Sequence, residues 1–153
     1  MDEGVWLTLQ GAEELCRKIL RLSDSILESS ILDESGTVLH RLTRDPAHSK
    51  YQPTPEALQK YGTWVNLLFS MAKEADQIFG STEYITIAHS NFKNAAVPLS
   101  QNRGFVAMVV DRSADVEHIA SLIQSATSKE SGESVQTHVE EQSTHKSRVG
   151  SSY

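Results

Sequence analysis

Thr54 to Gly80, TPEALQKYGTWVNLLFSMAKEADQIFG, is the longest stretch of the chain whose residues point to one structure, a single long helix. Thr54 is placed to act as N-cap, Pro55 suits the first helical position because its missing N–H costs nothing there, and Glu56 favours the positive end of the dipole. Gly80 supplies the stop. Leu58, Tyr61, Val65, Leu68, Ala72, Ala75 and Phe79 recur at helical spacing and line one face. A second apolar set, Trp64, Leu67, Met71 and Ile78, lies beside it. A stripe that wide exceeds what one partner surface needs. One side of the helix is therefore expected on a sheet and the other on a second polypeptide, with Trp64, Leu67, Met71 and Ile78 as the interface candidates. The competing reading buries those four side chains in the core.

Working back toward the N-terminus, Thr43 to Pro53 (TRDPAHSKYQP) has two prolines and few apolar side chains, and reads as a loop. With the strand before it, this loop gathers His40, Arg41, Arg44, His48 and Lys50. A small anion site is one reading of that cluster, but without a glycine-rich cradle a solvated basic loop is the stronger one. SILESSILDESGTVLHRL reads as two strands around Asp33-Glu34-Ser35-Gly36, with glycine where the turn needs a positive φ. Its second strand alternates imperfectly, Val38, His40 and Leu42 against Thr37, Leu39 and Arg41, so both faces are expected to be partly covered. From Ala12 to Leu22 the apolar residues follow a helical period that includes Cys16, with Glu13 and Glu14 early and Arg17, Lys18 and Arg21 late. In that stripe Cys16 reads as a small buried hydrophobe rather than a reactive thiol. VWLTL, upstream, is either an extra turn or an arm.

On the other side of Gly80, Thr82 to Ser90 and FKNAAVPL read as two strands joined at Ser90-Asn91, with Pro98 at a strand end because it lacks an amide hydrogen. Phe105 to Asp111, FVAMVVD, is the most continuous apolar run and is expected to be the central strand. Ser113 is expected to cap a final helix whose apolar face is Val116, Ile119, Ala120, Leu122 and Ile123. After residue 126 the composition turns polar, which divides the chain into a domain, 1–126, and a disordered tail, 127–153.

The 153 residues, 39% of them apolar and 22% charged, suffice for one domain with a single core. A net charge of −6 disfavours a phosphate backbone as partner, so nucleic acid is not expected. One cysteine excludes an intramolecular disulfide framework and any multi-thiolate metal site, and suits a reducing cytoplasm. The start, MDEGVW, is acidic where a signal peptide is basic, and no apolar run approaches a membrane span. The chain reads as cytoplasmic, without membrane association.

The element order is helix, hairpin, long helix, three-strand meander, helix. This is an α+β fold in which a hairpin and a meander form one five-stranded antiparallel sheet with helices on both faces. The first and last helices are expected to share one face, leaving the long helix on the other or along an edge. In that order, ILDESGTVLH (Ile31 to His40), IAHSNFKNAAVPL (Ile87 to Leu99) and FVAMVVDRSADVEHI (Phe105 to Ile119) resemble the roadblock/dynein light chain superfamily of the profilin-like group. More narrowly, the chain resembles a family of uncharacterised archaeal proteins of that shape. The resemblance runs from about Leu15 to Ile123; the Thr43-to-Pro53 loop and the tail are additions to the family pattern. It implies a homodimer or a heterodimer with a similar domain, in which central helices pair and sheet edges join. It also implies binding to small GTPases or signalling scaffolds, without catalysis and without a cofactor.

Two other function classes compete with an interaction domain. The best catalytic set is His89, Ser90, Asn91 and Lys93 with His40, yet neighbours along a strand point to opposite faces, so an ordinary polar turn is favoured. The six histidines are scattered, His138 and His145 included, and no metal is expected. The alternative function is a small-molecule sensor of PAS or GAF type, which needs a cavity between sheet and long helix lined by Tyr61, Val65, Tyr84 or Phe105.

Overall fold

A computed structural model describes residues 9–45, 54–100 and 103–128. Its elements in chain order are α1 (Leu9–Leu20), β1 (Ile26–Leu32), β2 (Val38–Thr43), α2 (Pro55–Lys73), α3 (Asp76–Phe79), β3 (Ile85–Ala88), β4 (Phe92–Pro98) and β5 (Phe105–Asp111). A last helix, α4, covers residues 116–128. The strands form one antiparallel sheet in the order β2-β1-β5-β4-β3. The apolar run of β5 is central, buried along its length up to Asp111, as its composition requires.

Alternation along the strands divides the core between the two sheet faces. On one face Ile26, Ile31, Val97, Val106, Met108 and Val110 meet Leu15, Cys16 and Ile19 of α1 and Val116, Ile119 and Ile123 of α4. On the other, Leu32, Ala96, Phe105 and Ala107 meet only Val65 and Phe69 of α2, with Val38, Tyr61 and Ile85 at the margin. The Phe69 and Phe105 rings stack 4.8 Å apart at 15°, a contact of about 1 kcal/mol beyond its buried area. The expected arrangement holds: α1 and α4 share one face and α2 takes the other.

Several local expectations change. α1 begins at Leu9 rather than Ala12 and ends at Leu20, so Glu13 and Glu14 fall beyond its first turn. Arg44 meets the last carbonyl of α1, Leu20 O, and donates at 2.8 Å to Ser23 O in the turn after it. α4 is capped by Asp115 rather than Ser113: the Asp115 carboxylate accepts from His118 N at 3.2 Å. The strand expected from Thr82 to Ser90 contracts to Ile85–Ala88. The imperfect alternation in β2 is a bulge. Ile31 faces His40 and Leu32 faces Val38, which leaves Leu39 without an opposite residue and lets it join the α1 face.

The long helix is two helices. α2 ends at Lys73, the chain tightens through Glu74 N–H to Met71 O and Ala75 N–H to Ala72 O, and α3 follows as one turn. Thr82 Oγ1 donates to Asp76 Oδ1 at 2.7 Å and fixes α3 against the approach to β3. Gly80 ends α3 at φ 91 and ψ 175, a backbone region open essentially to glycine alone. Thr127 and Ser128, the first residues of the expected tail, lie in α4, and 129–153 fall outside the described residues, as does the VWLTL segment up to Thr8.

Candidate functional site

The α2 helix is apolar around more than half its circumference, and the sheet uses only part of that arc. Val65, Phe69 and Gly62 form the buried meridian. Phe69 and Gly62 were not in the stripe read from spacing. Their signal is geometric: Gly62 O would lie 2.3 Å from a Cβ on Gly36, so the helix passes directly over the hairpin turn, and Phe69 sits two turns further along the same line. Asn66 Nδ2 donates to Ser35 O at 3.3 Å and ties the same two elements together.

On the outer side Trp64 is 62% exposed, Leu67 57% and Met71 60%. Their spacing of three and four residues puts them on one face of α2. Ile78, the fourth interface candidate, lies beyond the break on α3 and is 77% exposed. Phe79 departs from expectation: placed by periodicity in the sheet-facing stripe, it is 83% exposed, because the break at Glu74 and Ala75 shifts everything after it out of the α2 phase. These five are the exposed large hydrophobic side chains among the described residues. The neighbouring sheet edge, β3, pairs with β4 on one side and with no described strand on the other.

The other candidate sites dissolve into structure. Arg41 pairs with Glu28 through two contacts of 2.5 and 2.8 Å, Arg44 serves the end of α1, and His48 and Lys50 lie outside the described residues. Arg41 and Arg44 are thus structural partners rather than parts of an anion cradle. In the turn between β3 and β4, His89 N–H donates to Phe92 O at 2.9 Å, and on β4 Lys93 Nζ donates to Ala114 O at 3.0 Å. His40 stands on β2, three strand positions from β4 in the sheet order, roughly 14 Å at the usual spacing. Cys16 is fully buried; burial above all pushes its thiol up to about 11, so it stays protonated at neutral pH. No group of three or more His, Cys, Asp or Glu able to hold a metal occurs among the described residues. No described helix is long and apolar enough to cross a membrane.

Over the first half of α2 the cavity that a sensor of this shape needs is closed. The space between the sheet and the first half of α2, beside Tyr61, Leu58 and Ala107, amounts to about 10 Å³, the size of a single water. Val65 and Phe105 pack in the α2-side core and Tyr84 against the opposite one. A larger open groove of about 660 Å³ runs beside Ser70, Lys73, Phe105 and Gln124. Two of its polar side chains bond within the chain: Ser70 donates to Asn66 O and Gln124 to Glu83 O.

No family model matches the sequence, and no curated protein does. Solved structures do match the fold. MglB of Myxococcus xanthus superposes with a TM-score of 0.58 at 7% identity, over 84% of this chain and 90% of that one. A roadblock/LC7 domain from Streptomyces avermitilis gives 0.57 at 14%, over 82% and 95%. MglB in a tetrameric arrangement gives 0.56 at 14%, over 79% and 90%. With identities this low the likeness concerns the fold, and in its fold this chain is a roadblock-like domain.

Proposed function

We propose that this chain is a noncatalytic protein-interaction domain that pairs, with a second copy or a similar domain, through the outer face of α2. A small GTPase or a signalling complex is its regulated partner. The observation that carries the reading is the exposed apolar row Trp64, Leu67 and Met71 on the helix whose opposite side covers the sheet. In water such a row is an association surface or an aggregation liability. Support also comes from the side of β3 that pairs with no described strand and can extend the sheet. A protein of the same fold assembles into a tetrameric arrangement.

Light scattering on the purified chain tests the pairing. A dimer is expected at tens of micromolar, and Leu67→Asp with Met71→Asp is expected to shift it to monomer, since a buried charge without a partner costs several kcal/mol. A wild-type monomer at that concentration would refute the reading. The partner class is tested by capture of purified small GTPases loaded with GDP or a GTP analogue, where retention that depends on nucleotide state is the supporting result.

A further inference from the structure

We infer that the segment before α1, Met1 to Thr8, crosses the end of the sheet and seats Trp6 in the open groove between the second half of α2 and the end of α4. The pairing proposed above plays no part in this contact. The groove, about 660 Å³, has the buried Phe69, Leu99 and Phe105 at its base and the exposed Ser70 and Ser128 at its rim. An apolar base under a polar rim, within the ~300–1,000 Å³ of ordinary ligand pockets, suits one compact apolar group. Trp6 is the one tryptophan outside the described residues. The tail from residue 129 also starts at this rim, but its apolar side chains before Tyr153 are Val135, Val139 and Val149, a poor match to an aromatic base.

The course of α1 brings the segment to the groove. Beyond β2, Arg44 donates to Leu20 O and Ile26 O, and Cys16 Sγ lies 3.5 Å from Ser29 O. α1 therefore runs back along β1 with its last turn near Ile26, and its rise of roughly 16 Å from Leu20 to Leu9 carries its start level with Ile31 and Leu32. The groove opens at that same end: Glu34 of the hairpin turn and Gly104 line it, and a Cβ on Gly104 would lie 2.1 Å from Leu32 O. Gly4 to Thr8 span up to roughly 17 Å when extended, a reach sufficient to round the end of the sheet. Continuing the helix would not serve these side chains. At about 3.6 residues per turn Trp6 and Leu7 fall away from the side of α1 that carries the buried Leu15, Cys16 and Ile19, and would stand in water.

The full-length chain with Trp64→Phe, in which Trp6 is the remaining tryptophan, tests this by fluorescence. Trp6 is expected to emit at shorter wavelength than the same residue in a peptide of Met1 to Gln10, and to be quenched by acrylamide several-fold more slowly. Ser70→Arg and, separately, Ser128→Arg crowd the rim from exposed positions on α2 and α4 without entering the core. Each is expected to restore most of the quenching seen in the peptide while the circular dichroism stays that of the parent chain. Because the contact lies within one chain, the protection of Trp6 is expected to survive dilution and the Leu67→Asp substitution. Protection lost on dilution would place the segment on a second copy, and protection that neither arginine moves would place Trp6 elsewhere on the chain. Quenching equal to the peptide's would leave the groove to another occupant. Each of these three results overturns the inference.

Discussion

At the scale of single residues, two glycines set how closely α2 approaches the hairpin. A Cβ on Gly62 would lie 2.0 Å from Gly36 O, and Gly36 itself has φ +89. Glycine inside a helix ordinarily costs about 1 kcal/mol relative to alanine, so Gly62→Ala would stabilise a helix lying free. Here the added methyl has to push α2 off the turn, and a net loss of about 2 kcal/mol or more is expected, read as a lower urea midpoint. An unchanged or higher midpoint would mean that the contact gives way freely. At the same turn the Asp33 carboxylate accepts from Ser35 N–H, Ser35 Oγ and Thr37 N–H at 2.7 to 2.9 Å. Burial works against its ionisation, but the hydrogen bonds outweigh it, the Ser35 hydroxyl first, and hold the carboxyl below the ordinary aspartate range. A folded-state pKa lowered in this way contributes stability above the unfolded-state value and loses it as pH falls through the folded one. Asp33→Asn should cost about 1 kcal/mol near neutral pH at this solvent-screened site. That gap between the two chains should narrow in acid denaturation series as pH falls below the usual aspartate pKa and close once it passes the lowered folded-state one; a gap that persists would show that the charge is not what holds the turn.

At the scale of elements, the Glu28 and Arg41 side chains join the β1–β2 pair on the sheet face that α2 covers. Glu28 is 4% exposed, and its two oxygens meet Arg41 Nε at 2.5 Å and Nη2 at 2.8 Å. The attraction between such a pair is largely offset by desolvation, yet removing one member strands the other. Arg41→Met is expected to cost about 3 kcal/mol by leaving the Glu28 carboxylate uncompensated, and adding Glu28→Leu should recover most of it. Thermal melts of the two variants decide this, and equal losses in both would contradict it. The break after Lys73 belongs to the same scale. Lys73, Glu74, Ala75 and Asp76 all tolerate helix, so no residue in the run announces an interruption. The tie from Thr82 to Asp76 comes from a residue after the helix and holds α3 against the approach to β3, while the break itself puts Phe79 out of the α2 phase.

Across the whole molecule the two faces of the sheet are unequally covered. Two helices lie on one and α2 alone on the other, with its outer apolar row open among the described residues. If association covers that row, it binds the folded chain and not the unfolded one. The melting temperature should then rise with protein concentration, by about 1.4 kcal/mol of stability for each tenfold excess over the dissociation constant. The Leu67→Asp chain should melt at one temperature across the same range. Equal concentration dependence in both would place the association elsewhere.

The sequence by itself determined the five strands, the antiparallel sheet they build and the order of the elements, apart from the division of the long helix into α2 and α3. FVAMVVD, the turn at Gly36 and the capped start at Thr54 each have a local physical cause, and periodicity separated α2 into a sheet-facing set and a surplus set. It also marked Trp64, Leu67 and Met71 as the surplus from their spacing along α2, together with Ile78, which stands beyond the break on α3. Tertiary structure decided what spacing cannot encode. It decided that Phe69 packs on Phe105 while Phe79 points outward, that the basic side chains Arg41 and Arg44 are taken up by Glu28 and by backbone carbonyls at the end of α1 and after it, and that the space between the sheet and the first half of α2 is filled. Each of these depends on residues far apart in the chain meeting in space, and local pattern carries no record of such meetings.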